Sequence, residues 1–251
     1  MEIITSVKND TVRLAKSLAE KKFRVQTGLF LVEGGNIVKD IPQDVNVRFY
    51  LATERRADEI PVRVDSSRPQ VYYVTDAVMK SLSDTVTPYG LAAVAEIPVR
   101  EFAHPRGNAL LLDGVSDPGN LGTVLRTAAA TGFDDVYLLG CADPYSPKTV
   151  RASMGGIFRT RLYEVTEEQA CELASDDGAV ALDMAGKSFT EGGLPPRVTL
   201  VAGSEAHGVR PAVLRACASV RSLPMFNGME SLNVAVASAV AMYLSAFIFN
   251  N

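Results

Sequence analysis

The sequence has no tryptophan, only two histidines and only three cysteines, and each scarcity excludes a kind of site. The cysteines stand far apart at Cys141, Cys171 and Cys217, without a C-x-x-C pair or a nearby histidine. We therefore expect no zinc site and no other metal centre. An odd, scattered set is typical of buried thiols in a reducing cytosol. With His104 and His207 as the only histidines, a His-based triad has few ways to form.

An excess of positive charge is also lacking, because the net charge of −4 leaves no overall basic field that attracts nucleic acid. Any polyanionic partner must therefore be met by a local patch. Basic residues concentrate near the start of the chain, at Lys8, Arg13, Lys16, Lys21, Lys22 and Arg24. Taken alone, this basic cluster has the pattern of a solvated helix face. Arg55, Arg56, Arg63 and Arg68 form a weaker, partly neutralised group.

No apolar run is long enough for a membrane span. The uncharged stretch from Val234 to Phe249 is shorter than the roughly 20 apolar residues that a span needs, and alanine and serine dilute it. Such a stretch predicts a buried or interface helix. The first eight residues lack the apolar run of a signal peptide, so we expect a cytoplasmic protein.

What the sequence has is an alternation of apolar runs and helical patterns over 251 residues, of which 47% are hydrophobic. Residues 1–97 predict a small α/β unit, with an amphipathic helix at Lys8–Glu20 and a further helix at Asp76–Leu82, N-capped by Asp76. Residues 98–108 combine prolines, a glycine and mixed charge, which indicates a linker. Residues 109–251 predict a mostly parallel sheet with helices on both faces. In such sheets, ligands bind beyond the carboxyl ends of the strands.

Three segments in this second unit follow strand-like runs and contain residue types suited to ligand binding or catalysis. In the first, Asn120 is a plausible N-cap of a helix that ends at Gly132. Arg126 lies in that helix and is either an ordinary surface residue or a residue whose guanidinium binds phosphate through paired N–H donors. In the second, a strand runs into Gly203, where a missing Cβ lets a ligand approach the backbone, and Glu205 follows. In the third, an irregular loop precedes a helix that Ser231 or Asn233 caps.

Taken together, the three segments resemble the SpoU/TrmH family of SPOUT methyltransferases. The family pattern reads N-x-G-x-x-x-R-T-A, then G-x-E-x-x-G, then P-M-x-x-x-x-x-S-L-N-V-x-V-A. The matching residues here are Asn120, Gly122, Arg126, Thr127 and Ala128; Gly203, Glu205 and Gly208; and Pro224, Met225, Ser231, Leu232, Asn233 and Val234. Arg151–Phe158 is also similar to the family, and the resemblance covers residues 109–251.

The first 97 residues resemble the substrate-binding extension of the same family. Arg24 with Gly28–Gly34 is similar to its R-x-x-x-G-x-F-x-V-E-G signature, and Ser83–Gly90 is similar to its second signature. The family commonly has glutamine where this chain has Tyr89, which affects substrate recognition rather than catalysis.

The resemblance implies methyl transfer from S-adenosylmethionine to a ribose 2′-hydroxyl of RNA, with ribosomal RNA favoured over tRNA. It also implies a C-terminal trefoil knot that binds the cofactor mainly through backbone groups. The residues it assigns to the cofactor are Ala202, Gly203, Gly208, Leu223, Met225, Ser231, Leu232 and Asn233. Arg126 is then a phosphate and ribose positioner, and Glu205 orients Arg126 or Asn120 through charge-assisted hydrogen bonds.

The resemblance also changes the interpretation of the basic cluster, because an acidic protein that acts on RNA needs local cations. Lys8, Arg13, Lys16, Lys21, Lys22, Arg24 and Arg151 become candidate RNA-binding residues. The helix at Asn233–Phe249 is apolar on several faces, which predicts a homodimer whose interface includes this helix and the helix at Asn120–Thr131. Members of the family are likewise dimers through this domain.

Two other functions are compatible with parts of the sequence. A protein of the same fold that binds structured RNA without methylating it is the main alternative, although the catalytic motif residues are intact. A nucleotide-dependent metabolic enzyme is disfavoured, because the G-x-G-x-x-G and G-x-x-x-x-G-K motifs are absent.

Overall fold

The computed structural model describes residues 2–62 and 69–247. Contacts between Cα atoms divide the chain into two compact units. The first contains Met1–Val99 and Asp143–Phe158, and the second contains Arg100–Ala142 and Arg159–Asn251. The predicted ranges 1–97, 98–108 and 109–251 are continuous, whereas the first unit is built from two stretches of the chain. In the described ranges no helix has the length and hydropathy needed to cross a membrane.

The described residues form eleven strands and nine α-helices. The strands are β1 (Ile3–Ile4), β2 (Leu29–Glu33), β3 (Val47–Ala52), β4 (Gln70–Val74), β5 (Leu91–Glu96), β6 (Ala109–Asp113), β7 (Asp135–Leu139), β8 (Arg161–Glu164), β9 (Ala179–Ser188), β10 (Thr199–Gly203) and β11 (Ser219–Ser222). The helices are α1 (Asp10–Ser17), α2 (Lys21–Thr27), α3 (Gly35–Lys39), α4 (Asp76–Leu82), α5 (Pro118–Thr131), α6 (Pro147–Ser153), α7 (Glu167–Ala174), α8 (Pro211–Ala216) and α9 (Val234–Phe247). Short 3₁₀ helices lie at Glu54–Glu59 and Gly156–Phe158.

The first unit contains a mixed five-stranded sheet in the order β1-β4-β3-β5-β2. Strands β1, β4 and β3 pair in parallel, and β5 pairs antiparallel with both β3 and β2. The apolar sides of α1 and α4 pack on this sheet and form one core, which includes Val12, Leu18, Leu51 and Met79. The small α/β unit predicted from the sequence is present.

Two helix starts in the first unit are fixed by side-chain caps. Asn9 caps α1 by accepting hydrogen bonds from the backbone of Thr11 and Val12, so this helix is shorter than the predicted Lys8–Glu20. The predicted cap at Asp76 is wrong, because Thr75 accepts from the Val78 backbone and Asp76 is the first helical residue. Threonine and aspartate are both good caps, and the sequence presents them side by side.

The second unit contains a six-stranded sheet in the order β11-β9-β10-β6-β7-β8, and every pairing in it is parallel. Tyr137 and Val201 face a core that includes residues of α7 and α8. Leu110 of β6 and Leu200 of β10 each precede a residue of that core, so they point to the opposite face of the sheet, and both are fully buried as well. Helix α9 packs against both β10 and α5. Burial of successive strand residues is what a sheet covered on both faces requires. The predicted α/β class and parallel sheet are confirmed.

The helix that carries the first motif begins earlier than predicted. Asp117 is its N-cap and accepts a hydrogen bond from the Asn120 backbone at 2.8 Å, whereas Asn120 lies within the first turn. The predicted cap at Asn120 is therefore wrong, and its side chain is available for other contacts. Gly132 ends α5 in a left-handed conformation, as predicted.

The final helix, α9, is described as far as Phe247, so Ile248 and Phe249 of the predicted helix lie outside the described residues, as do Arg63 and Arg68. Asn233 is the residue that caps α9, since its side chain accepts hydrogen bonds from the backbone of Ala235 and Val236. The choice that the sequence left open between Ser231 and Asn233 is thereby decided.

Candidate active site

A pocket lies at the carboxyl ends of β10 and β11 and beside the middle of β9, in the second unit. The loop after β11 and the first turns of α9 complete its walls. This is the position at which a parallel sheet offers unpaired backbone groups and strand-end side chains to a ligand. All but one of the residues predicted to bind a cofactor line it: Ala202, Gly203, Gly208, Leu223, Met225, Ser231 and Leu232.

Several lining residues were missed by sequence reasoning. Leu182, Asp183 and Met184 belong to β9, and Arg221 and Ser222 end β11. The signal that points to them is position alone: Leu182, Asp183 and Met184 directly follow the stretch of β9 that pairs with β10, and Arg221 and Ser222 end the next strand of the sheet. Their residue types carry no motif.

Side chains from all three motifs meet beside this pocket. The Asn120 side-chain amide donates to Glu205 Oε1 at 2.6 Å. The Asn233 amide donates to Asn120 Oδ1 at 3.1 Å and to the same Glu205 oxygen at 3.4 Å. Glu205 itself lines the pocket, whereas Asn233 borders it through these contacts. The three residues, hereafter the Asn–Glu–Asn cluster, join the start of α5, the turn after β10 and the start of α9.

The turn that holds Glu205 is stabilised by backbone hydrogen bonds and by a close backbone approach at Gly203. Ser204 and Gly208 exchange backbone hydrogen bonds at 3.2 and 2.9 Å. A Cβ on Gly203 would lie 2.0 Å from the Gly208 carbonyl carbon, so only glycine permits this approach. Beyond the turn, buried Asp113 accepts the Arg210 backbone N–H at 2.7 Å and pairs with its guanidinium at 3.0 Å. These contacts fix the turn rigidly at the end of the sheet.

Arg126 lies on the exposed surface of α5 and has no hydrogen bond or ion pair to any residue within 2–62 or 69–247. Six residues of helix separate it from Asn120, a rise of about 9 Å. Of the two partners that the sequence allowed for Glu205, the structure pairs the carboxylate with Asn120 and not with Arg126. The guanidinium thus keeps its full donor set for an incoming anion.

In the first unit, the basic cluster divides into exposed and buried members. Lys8, Arg13, Lys16, Lys21 and Lys22 are exposed. The prediction that Arg24 contacts RNA is wrong, because only 4% of its side chain is exposed. Its guanidinium donates to the Leu18 carbonyl at 2.6 Å and to Asp143 at 2.6 and 3.1 Å.

Arg151 is likewise engaged within the first unit. Its guanidinium lies 3.3 Å from the buried Glu33 carboxylate and 3.9 Å from Asp84, with a quarter of the side chain exposed. Its assignment to RNA stays a prediction.

Replacing Arg24 with alanine is expected to lower the free energy of unfolding by about 2–3 kcal/mol, somewhat less than the roughly 3–5 kcal/mol for a fully buried pair, because Asp143 is partly solvated. Lys16→Ala, on an exposed face nearby, serves as the control and should change stability by less than about 0.5 kcal/mol. Urea denaturation of both variants measures the difference. Equal stability of the two would contradict a structural role for Arg24.

Tyr89 is held by packing and polar contacts inside the first unit. A Cβ on Gly35 would lie 2.0 Å from its ring, and the Arg56 guanidinium stacks 4.0 Å from the ring centroid. The Tyr89 hydroxyl donates to Glu59 at 2.6 Å, as does the Lys39 ammonium. Hydrogen bonds from Lys39, Tyr89 and Arg56 lower the pKa of Glu59 to about 2. Tyrosine at this position therefore anchors a loop.

Two of the three cysteines, Cys141 and Cys217, are poor nucleophiles. All three are free and half-buried. Burial raises the pKa of Cys141 and of Cys217 to about 11, so both stay protonated at neutral pH.

Known proteins are similar to this chain over most of its length. The SpoU rRNA Methylase family model matches residues 107–243, and the model of an MRM3-like substrate binding domain matches residues 9–93. The chain is 33% identical over 250 residues to the 23S rRNA (guanosine(2553)-2′-O)-methyltransferase RlmP of Bacillus subtilis, covering 97% of this chain and 98% of that protein.

Solved structures show the same similarity over both units. An AdoMet-bound rRNA methyltransferase from Sinorhizobium meliloti superposes with a TM-score of 0.86 at 26% identity, covering 97% of each chain. An RNA 2′-O ribose methyltransferase superposes with a TM-score of 0.81 at 28% identity, covering 97% of this chain and 98% of that one. With the family model matched across the pocket and the Asn–Glu–Asn cluster, this chain belongs to the SpoU rRNA methylase family.

Proposed function

We propose that this protein transfers a methyl group from S-adenosylmethionine to a ribose 2′-hydroxyl of ribosomal RNA. The observation that carries the proposal is the Asn–Glu–Asn cluster at the edge of the pocket. Residues from all three sequence motifs are joined there by direct hydrogen bonds, although Asn120 and Asn233 are 113 residues apart in the sequence. The named activities of the two methyltransferases that are similar over nearly the whole chain support the choice of ribose oxygen and of ribosomal RNA.

The pocket residues fit S-adenosylmethionine. Leu223, Leu232 and Ala202 provide apolar walls for an adenine ring and methylene groups, and Ser231 and the backbone at Gly203 provide polar contacts. When bound, the cofactor supplies an electrophilic methyl group on a sulfonium. The cavity measures about 220 Å³, below the ~300 Å³ at the lower end for ligand sites. A ligand of this size therefore extends through the open side of the pocket.

The protein's own groups act by binding and alignment. Glu205 holds the Asn120 amide in one orientation, and the amide oxygen is fixed in turn by Asn233. The Arg126 guanidinium carries a fork of N–H donors that match a phosphate and a ribose oxygen. Fixing the 2′-hydroxyl in line with the methyl group supplies much of the acceleration, because a correctly held pair avoids the entropy of encounter.

Two finer features belong to the same proposal. The trefoil knot implied by the family resemblance would lie in the segment that contains β10, β11 and α9, around the pocket. A cytoplasmic location, where ribosomal RNA and S-adenosylmethionine meet, goes with the activity.

Incorporation of labelled methyl tests the function. Purified protein, tritiated S-adenosylmethionine and ribosomal RNA from cells that lack this gene should give acid-precipitable label. RNA from cells that contain the gene is the control and should accept much less. Binding of RNA without incorporation would favour the alternative of a non-catalytic RNA-binding protein.

The exposed lysines of the first unit are proposed to meet RNA phosphate. Lys16, Lys21 and Lys22 have no ion-pair partner among the residues that the structure describes. Replacing all three with alanine should flatten the dependence of log K on log salt by about 2, since each phosphate contact to single-stranded RNA contributes about 0.7. Binding titrations at several salt concentrations measure this slope. An unchanged slope would show that these lysines form an ordinary solvated surface and do not contact phosphate.

We also propose a homodimer that covers the exposed side of α9. Val236, Val240, Tyr243 and Phe247 are 40–51% exposed and follow one another at spacings of four, three and four residues. This is one continuous apolar stripe, whereas Val234, Ala235, Ser238, Ala241, Met242 and Ser245 form the buried side. Phe226 and Met229, in the loop beside the pocket, are also exposed. A partner subunit on this surface would shield the stripe and close the open side of the pocket.

Light scattering at low micromolar concentration is expected to give twice the 26.9 kDa mass of the chain. Val240→Glu places a charge within the stripe and should yield the monomer mass, because a buried unpaired carboxylate is costly. Val62→Glu, at a valine that is 85% exposed, is the matched control and should stay dimeric. A fully active wild-type protein of 26.9 kDa would contradict the proposal.

A further inference from the structure

A second cavity lies within the first unit and shares no lining residue with the pocket described above. It is a groove of about 690 Å³, within the size range of ligand sites. Its walls come from α1, from the start of α2 and from the end of α4. These elements fall inside the range that matches a substrate binding domain.

An aromatic ring forms part of the groove. Phe23 lines it and is only partly buried, although a phenylalanine of this size is usually covered. The Lys22 ammonium lies 4.7 Å from the centroid of the Phe23 ring. A ring with a neighbouring cation is the combination that stacks a nucleobase and contacts its backbone.

The groove carries charges of both signs, which can meet a base and its phosphates together. Asp10, Glu20 and Asp84 line the groove, as does Arg13, which lies 3.5 Å from Asp10, while Asp84 lies 3.9 Å from Arg151. Glu20 has no ion pair with a described residue, so its carboxylate can accept hydrogen bonds from base N–H groups. Lys16 also lines the groove, and Lys21 is exposed at the start of α2 beside it. A phosphate backbone is therefore expected along the lysines, with a base directed toward the Glu20 carboxylate.

We propose that this groove binds one unpaired nucleotide of the RNA substrate, with its base stacked on Phe23 and its flanking phosphates on Lys16, Lys21 and Lys22. The inference rests on the proposed function for the identity of the partner as RNA. A base within a continuous helix is stacked on its neighbours and cannot reach the ring. The groove therefore selects a loop, bulge or single-stranded end.

Fluorescence anisotropy with two labelled RNAs tests the inference in the full chain. One RNA is a hairpin with an unpaired loop, and the other is a duplex with the same number of phosphates. Phe23→Leu keeps apolar bulk but removes the ring, and should weaken hairpin binding about tenfold, the typical cost of losing one stacked base. Duplex binding should be unchanged. Phe23→Tyr should bind both RNAs like the wild type.

Val25→Ala is the matched control, because Val25 is on the same helix, is 73% exposed and does not line the groove. It should leave both affinities unchanged. Equal losses for hairpin and duplex in Phe23→Leu, no loss for either, or a wild type that does not prefer the hairpin would overturn the inference. Methyl incorporation by the wild type is measured separately. Its absence would refute the proposed function, whereas an unaltered hairpin affinity in Phe23→Leu alongside normal incorporation would refute only the stacking site.

Discussion

Replacing Arg126 with alanine is expected to lower kcat for methyl transfer by about 100- to 1,000-fold, the cost of removing one group that meets charge at a reacting centre. The guanidinium is exposed on α5 and makes no hydrogen bond or ion pair with a described residue, so its loss should leave the protein fold intact. It does not line the pocket, and binding of S-adenosylmethionine should therefore be nearly unchanged. Single-turnover kinetics and calorimetric titration of the cofactor measure the two quantities.

The matched control for this change is Arg215→Ala, since Arg215 is an exposed arginine in the last turn of α8. It should retain wild-type turnover. Arg126→Lys keeps the charge but loses the paired N–H donors of the guanidinium, and its kcat should lie between that of Arg126→Ala and that of the wild type. Near-normal turnover of Arg126→Ala would remove this residue from the catalytic assignment.

Asn120→Asp is expected to lower kcat by about 100-fold near neutral pH. The substitution replaces the amide that lies 2.6 Å from Glu205 with a second carboxylate. Two carboxylates at this distance cannot both ionise without repulsion, so the apparent pKa of the pair should rise above that of either group alone. A shared proton restores the hydrogen bond, and activity should therefore recover partly as the pH is lowered.

A pH–rate profile of Asn120→Asp beside the wild type makes this measurement. Asn36→Asp, at an exposed position of α3, serves as the control for adding one negative charge. It should follow the wild-type profile. If Asn120→Asp has a wild-type rate at every pH, the Asn–Glu–Asn cluster does not position the reacting groups.

Seven of the residues that line the pocket were predicted to bind the cofactor, because family motifs and strand ends coincide in this chain. Gly203 closes β10 and Asn233 precedes the last helix, so both the apolar pattern and the motif spacing point to the same edge of the sheet. Asp183 and Met184 were not predictable in this way. Their place in the pocket depends on β9 being the neighbour of β10, and strand order is not contained in local pattern.

Helix starts show where local signals compete. Asp117 and Asn120 are both capping residues, and the structure uses Asp117. Pro118 was the deciding signal, because proline is favoured at the first position of a helix, where its missing N–H costs nothing. The position of Asn120 one turn inside α5 is what lets its side chain meet Glu205.

Arg24 illustrates a limit of charge patterns. It lies among exposed basic residues on short helices, and spacing gives it the same status as Lys21 or Lys22. Its partner, Asp143, is 119 residues away in sequence. Asp143 belongs to the stretch Asp143–Phe158, which follows the predicted linker in the sequence but is part of the first unit. Only tertiary contacts distinguish a buried arginine from its solvated neighbours.

The measurement that tests the central claim most directly is the chemical position of the transferred methyl group. Ribosomal RNA methylated by the purified protein is digested to nucleosides and analysed by mass spectrometry, with Arg126→Ala as the negative control. The proposed function predicts a nucleoside that is methylated on its ribose and protects the adjacent phosphodiester bond from alkaline cleavage. A methyl group on the base, or label that is equally present with Arg126→Ala, would contradict it.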